Sequence, residues 1–474
     1  MKLRQVQRTK MPLTKRKTNV LRVVAIAAVA FAVAASAGTG NAVAALPPGN
    51  TVAQWNQIAE GTVVGSGTFL PEGFLYMAYP SAAVYDAVVA IEGGFEPYGP
   101  PIDAPAGASV DAAVVEAAYR TLWAYFPPEA CNPASPPAAY AFCLGVRPRL
   151  DAFYAEALAS IPDGPPKTDG QAVGLQAANA IIALRSGDGR MTPIGVTSSF
   201  PTLPPGPGVW RLTPPFAAPQ TPWLANVRPF ALQGVDQYLP DPPPSLQSNE
   251  WVEAFNQVKA YGAATSSARS DEETAIARFW SANTVRQYNR VGRDLTGAGA
   301  NLVETARLLA MINIVGADAQ IAGIHAKYHY LFWRPVTAID PTAVTADGFG
   351  PVPGYDDGNP ATVEQTGWRP LVTTPNFAEY PAAHGYITSA IANVFSAFLG
   401  TNQIDLHIHG FDPAGPPGNL NAVRHFDMPN DLRSEIIDAR LWAGLHYHFS
   451  SVAGVVLGRR VAEYDLRHAF QPID

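Results

Sequence analysis

Apolar positions recur every three to four residues along most of this chain, the spacing of a single helical face, and strict alternation is rare. The pattern predicts helices over 70–93, 109–125, 144–160, 171–186, 249–264, 270–283, 301–333, 382–399, 430–447 and 451–468. "SDEETAIARFW" places Ser270 before three acids, which suits an N-cap. Only "TNQIDLHIHGF" reads as a short strand. Residues 193–244 have no period and contain "PGVWRLTPP" and "VRPFAL", so they predict ordered coil; 335–381 also reads as loop. The expectation is a mainly α fold: a helical bundle with long Pro-rich loops and minor strand. No internal repeat or clean linker interrupts it, so residues 46–474 are expected to form one catalytic domain.

The first 45 residues break the pattern. Eight basic residues and no acid precede "VVAIAAVAFAVAASA", and small residues including Ala42-Val43-Ala44 follow. A basic region, a short apolar run and an A-x-A site make a secretory signal. The run of 15 is short of the roughly 20 residues needed to span a bilayer. A cleaved signal and a secreted or periplasmic product are therefore expected. No later run reads as a membrane span.

Charge then narrows the partners. The formal net charge is −7, and cleavage would remove eight positives to leave −15. An acidic body argues against nucleic acid or an anionic membrane surface. Low charge (15%) with 47% hydrophobic residues implies a large buried core, and 45 prolines imply long ordered connections. Cys131 and Cys143 flank a Pro-rich loop; in an exported chain they read as one disulfide, since two cysteines alone do not make a structural zinc site.

Three segments carry candidate chemistry: "KYHYLFWRP" (327–335), "EYPAAHGYITSA" with His384 near a helix start, and "ARLWAGLHYHFSSVAG" with Arg440 and His446. Lys327 and Arg334 are seven residues apart, which on one helix brings them within about 20° of the same direction, with Pro335 as its stop. Three cations with free amides around Ala383–Gly385 suit a tetrahedral oxyanion. Two histidines add one group to attack or ligate its centre and one to move a proton.

The ordered pattern K-x6-RP, P-S-G-H, S-R-x5-H-x3-D resembles that of the type 2 phosphatidic acid phosphatase and vanadium haloperoxidase superfamily, with a motif region over about 300–470. "AAVYDAVVAIEGGFEPY", "VRPFAL" and "FWRPVTAI" are similar to its exported bacterial haloperoxidase-like branch. The resemblance implies that Lys327, Arg334 and Arg440 clamp oxygens and that the backbone at Ala383 and Gly385 donates to them. It implies His446 as vanadium ligand or phosphorus nucleophile, and His384 as acid–base residue. The implied activity is a vanadate-dependent haloperoxidase, with vanadate as cofactor and hydrogen peroxide, halide and a small organic acceptor as partners. The alternatives are an acid phosphatase acting on a phosphate ester through a phosphohistidine, and a non-catalytic oxyanion-binding relative.

The pattern is incomplete. Ala382 stands for the usual serine before the glycine, Ala439 for the serine before the motif arginine, and Ser450 for the aspartate four residues after the histidine. Phe377 is either a halide-pocket residue or a core phenylalanine. On a helix His446 and His448 would diverge by roughly 200°, which leaves His448 a neighbour rather than a second ligand. His407 and His409 alternate on the strand without a third ligand, and His325 and His329 are spaced i, i+4 without the glutamate of a zinc-protease motif.

Overall fold

The structure is a computed structural model that describes residues 45–473 apart from 134, 136, 196–202, 205, 214–217, 298, 343–355 and 412–419. Segment 1–44, with its expected signal and cleavage site, lies outside the described residues. In chain order the helices are α1 (Thr51–Gly65), α2 (Gly73–Glu92), α3 (Val110–Tyr125), α4 (Pro137–Leu144), α5 (Val146–Ala159), α6 (Pro165–Leu184) and α7 (Asn249–Tyr261). Then come α8 (Asp271–Phe279), α9 (Thr284–Thr296), α10 (Leu302–Tyr330), α11 (Pro335–Ile339) and α12 (Ala383–Leu399). The antiparallel hairpin β1 (Leu406–Gly410) and β2 (Ala422–Phe426) precedes α13 (Pro429–Trp442) and α14 (His448–His468). The mainly α expectation holds.

Helix α10 is the axis of the fold. Its 29 residues span about 44 Å, and it is apolar around most of its circumference, so it is stable only when covered on all sides. Helices α1, α2, α9, α12 and α14 cover it. Two helical stretches, Leu70–Glu92 and Leu302–Tyr330, are long and apolar enough to cross a membrane, contrary to expectation. Both are clad by protein, 83% and 100% buried over their most apolar windows.

Apolar period does not predict α1, α4 or α9. Buried faces of α1 and α9 carry amides that bond to one another: Asn56 donates to Asn289, and Asn289 and Asn313 exchange bonds. Such satisfied polar groups pack as core while reading as surface in the sequence. The predicted 144–160 helix is α5 alone, with Gly145 dividing it from α4. Cys143 on α4 is disulfide-bonded to Cys131, as expected.

The segments noted upstream hold the scaffold together. Asp318, in the middle of α10 and fully buried, accepts the backbone amides of Phe230, Ala231 and Leu232 from "VRPFAL" at 2.6, 2.7 and 3.0 Å. Arg185 at the end of α6 donates to the Pro229 carbonyl and stacks on Phe230, and Tyr79 donates to Asp188. Residues 228–232 of the Pro-rich coil are thus held by backbone bonds rather than by apolar period.

Candidate oxyanion site

Helix α10 ends earlier than its apolar pattern. Leu331 is left-handed (φ 47°), and its amide bonds to the Lys327 carbonyl. Phe332 then pairs with Val209 in an isolated antiparallel bridge: Trp210 donates to the Leu331 carbonyl at 2.7 Å, Trp333 to Gly208 at 3.0 Å. Phe332 and Trp333 sit in an aromatic cluster with Trp251, Tyr447 and Phe449. Two expectations need correcting. Lys327 and Arg334 do not share a helical stripe, and Pro335 does not stop their helix. Pro335 is the first residue of α11, and Arg334 is its extended N-cap. The aromatic cluster pulls "LFW" out of the helix, and the backbone pairing replaces the lost helical bonds.

The cations nevertheless converge. Lys327 and Arg334 are fully buried and Arg440 is 3% exposed. The Lys327 ammonium donates to the carbonyls of Ala378 (3.1 Å), Glu379 (2.9 Å) and Pro381 (2.5 Å), which takes all three donors. Lys327 therefore braces the strap 378–381 that leads into α12. Arg334 donates through Nε to Phe377 (3.0 Å), through Nη1 to Leu445 (3.0 Å), and faces His446 Nε2 at 3.1 Å. Arg440 donates to the Trp280 carbonyl at 3.2 Å, and its Nε has no protein partner. Phe377 lies against both cations, 5.0 Å from Lys327 Nζ and 4.9 Å from the Arg334 guanidinium.

His446 is not on a helix, which is a third correction. α13 ends at Trp442, Gly444 turns the chain at φ 74°, and His446 occupies the link before α14. His448 opens α14 and is exposed, so the expectation that it is no second ligand holds for a different reason. His446 Nδ1 lies 2.8 Å from Glu379 Oε1, with both side chains buried. Arginine only donates, so Nε2 accepts from Arg334 and the proton sits on Nδ1, facing Glu379. The Tyr447 amide also donates to that carboxylate, at 3.2 Å. Sequence reasoning missed Glu379. The only available signal was an acid inside an otherwise apolar "FAEYP".

α12 starts as expected, one residue later. Ala382 is its N-cap without a side-chain acceptor, so the amides of Ala383, His384 and Gly385 have no intrahelical partner. A Cβ on Gly385 would meet the Ser451 carbonyl at 2.8 Å; the glycine is required by contact with α14. His384 Nε2 is buried without a partner. Burial and the neighbouring Arg440, Lys327 and Arg334 hold His384 below its usual range; burial and the same cations do so for His446. Burial raises Glu379 to about 7 against the pull of Arg334 and Lys327.

Among the described residues no carboxylate forms an ion pair with Lys327, Arg334 or Arg440, and Glu379 is the one acid acting on the first two. Burial holds Lys327 well below its usual range and brings Arg334 and Arg440 down to about 10 and 9, so positive charge here is costly unless an anion neutralises it. The unpartnered Arg440 Nε and the open α12 amides give that anion donors. The donor set fits a tetrahedral oxyanion such as vanadate or phosphate.

Residues 307–474 match the family model described as the VCPO second helical-bundle domain. That match covers the C-terminal third of the chain. Vanadium chloroperoxidase of Curvularia inaequalis is 27% identical over 323 residues, 55% of this chain and 50% of that protein. The chain thus spans about half the length of this curated relative. A bacterial vanadium-dependent iodoperoxidase superposes with a TM-score of 0.65 at 20% identity, over 91% of this chain and all of the other. A holo-type bacterial vanadium-dependent chloroperoxidase gives 0.59 at 14%, over 90% and 97%. These likenesses extend the shared fold well upstream of the family match.

The remaining histidines divide. His325 Nδ1 lies 3.2 Å from the Ala225 carbonyl and belongs to the packing around α10. His407 meets its cross-strand partner His425 at 4.7 Å, rather than pairing with His409. With Asp405 they form an exposed potential ligand group, but His425 is already engaged by Asp405 at 2.7 Å and Asp427 at 3.4 Å.

Proposed function

We propose that this protein is a vanadate-dependent haloperoxidase that uses hydrogen peroxide to oxidise halide for halogenation of a small organic acceptor. The observation that carries the reading is the His446 Nε2 lone pair, set by Glu379 and Arg334 amid buried cations. When bound, vanadate supplies Lewis-acid activation of peroxide. His446 Nε2 would be the ligand atom once the Arg334 Nη1 hydrogen bond passes from it to an oxygen of the anion. Arg334, Arg440 and the first amides of α12 neutralise and orient the oxygens. Lys327 adds positive charge and holds the strap that carries Glu379. His384, neutral beside three cations, accepts a proton from incoming peroxide at Nε2; the bound anion's charge favours that protonation. Phe377 walls the pocket beside the cations, and the N-terminal segment supports export.

The Nδ1–carboxylate pair also favours a second reading, a phosphatase. His384 would take up a proton at Nε2 as the anionic ester binds; Nε2 of His446 would then bond to phosphorus as the ester P–O bond breaks, His384 would pass its proton to the leaving oxygen, and water would release phosphate. One comparison separates the two. Protein loaded with orthovanadate is assayed for peroxide- and halide-dependent halogenation, and apo protein on a chromogenic phosphate ester. Ester hydrolysis inhibited by vanadate, with no halogenation, would overturn the first reading. His446→Ala should abolish whichever activity is found.

A further inference from the structure

The motif aspartate expected near His446 is Ser450 here, yet His446 Nδ1 is not without a carboxylate. We infer that Glu379, from the strap before α12, has taken over the aspartate's role as the residue that positions and charge-supports His446. The inference rests on the site reading above.

Four observations converge. Glu379 and His446 are buried side by side, with a 2.8 Å contact between Oε1 and Nδ1. The tautomer is set from the other side by Arg334, so the Nδ1 proton needs an acceptor, and Glu379 is the one present. The strap is held at both ends of the residue: the Glu379 amide donates to Phe332 and its carbonyl accepts from Lys327, each at 2.9 Å. Finally, Ser450 is fully buried in the first turn of α14, and its carbonyl accepts the Ala382 amide at 3.1 Å. The vacated motif position thus lies against the strap that carries the acid. A ring nitrogen whose other nitrogen donates to a carboxylate is locked in orientation and made more basic, which strengthens its bond to a metal or phosphorus centre.

Glu379 is a positioning residue: it acts through His446 and does not touch the anion. The test measures binding of orthovanadate to the full chain by equilibrium dialysis, with kcat and KM for peroxide alongside. Glu379→Ala should weaken vanadate binding roughly 10–100-fold, the usual scale for loss of such an outer partner. Glu379→Gln keeps an acceptor without the charge and should fall between, and it serves if the alanine variant fails to fold. The deciding variant is Glu379→Ala/Ser450→Asp, which returns the carboxylate to the motif position and should recover most of the lost affinity. A merely structural glutamate would not be replaced from another helix. Wild-type affinity in Glu379→Ala, or a folded double variant no better than the single one, overturns the inference. His446→Ala separates the two levels: if it binds vanadate like wild type, the site reading itself fails.

Discussion

Gly458→Ala tests whether the site is set by the seam between α12 and α14. A Cβ at 458 would stand 2.0 Å from the Tyr386 carbonyl oxygen and 2.7 and 2.8 Å from its carbonyl carbon and Cα. Cβ contacts below 3.0 Å are essentially never seen, and all three neighbours are backbone, so no rotamer change relieves them. The helices must part by at least about 1 Å at Tyr386, two residues from His384 and next to the free amides. Overpacking of this kind costs about 1–3 kcal/mol. In a chain of this size that lowers Tm by roughly 1–3 °C. A displacement of about 1 Å at reacting groups costs on the order of 100-fold. The expected result is therefore a small thermal shift with a much larger fall in vanadate affinity and turnover. Gly61→Ala is the control: nothing lies within 4 Å of its Cβ on α1, so it should stabilise by about 0.4–1 kcal/mol and leave binding alone. Wild-type vanadate affinity in folded Gly458→Ala would refute the link from seam to site.

Other outcomes follow from the same structure. Asp318→Ala strips three buried amides of their acceptor, and at about 1–3 kcal/mol for each group left unpaired, before relaxation, it should be severely destabilising by thermal melt. Reducing Cys131–Cys143, or replacing both by serine, frees a loop with a sequence separation of 12 and should cost about 3 kcal/mol; no change in Tm under reductant would contradict this. Glu72 is buried, and desolvation raises its carboxyl to about 8 from an ordinary 4.5. Its folded pKa exceeds its unfolded one, so its contribution to stability is full below about 4.5 and is lost as pH rises towards 8. Glu72→Gln should flatten that part of the Tm–pH profile and raise Tm at pH 8.

Predicted helices held where apolar period and burial largely coincide. α2, α3, α7 and α12 begin and end within about three residues of their predicted bounds, because period and burial coincide there. The elements that escaped notice, α1 and α9, bury amides that look like surface until their partners on other helices are known. The site shows the same division. Lys327, Arg334, His384, Arg440 and His446 are legible because cations and imidazoles are conspicuous in an apolar chain and keep their order. Their geometry is not legible, since Leu331 and Gly444 divert the backbone and local period carries no trace of the aromatic cluster or backbone pairing that rewards the diversion.

Residue order alone specifies the chemistry a pocket can hold: three cations, two imidazoles, an oxyanion. Tertiary structure decides which nitrogen of His446 carries the proton and which acid supports it. Hydrogen-bond partnership depends on distances of about 3 Å between segments 67 residues apart, and neither segment's own pattern encodes where the other will lie.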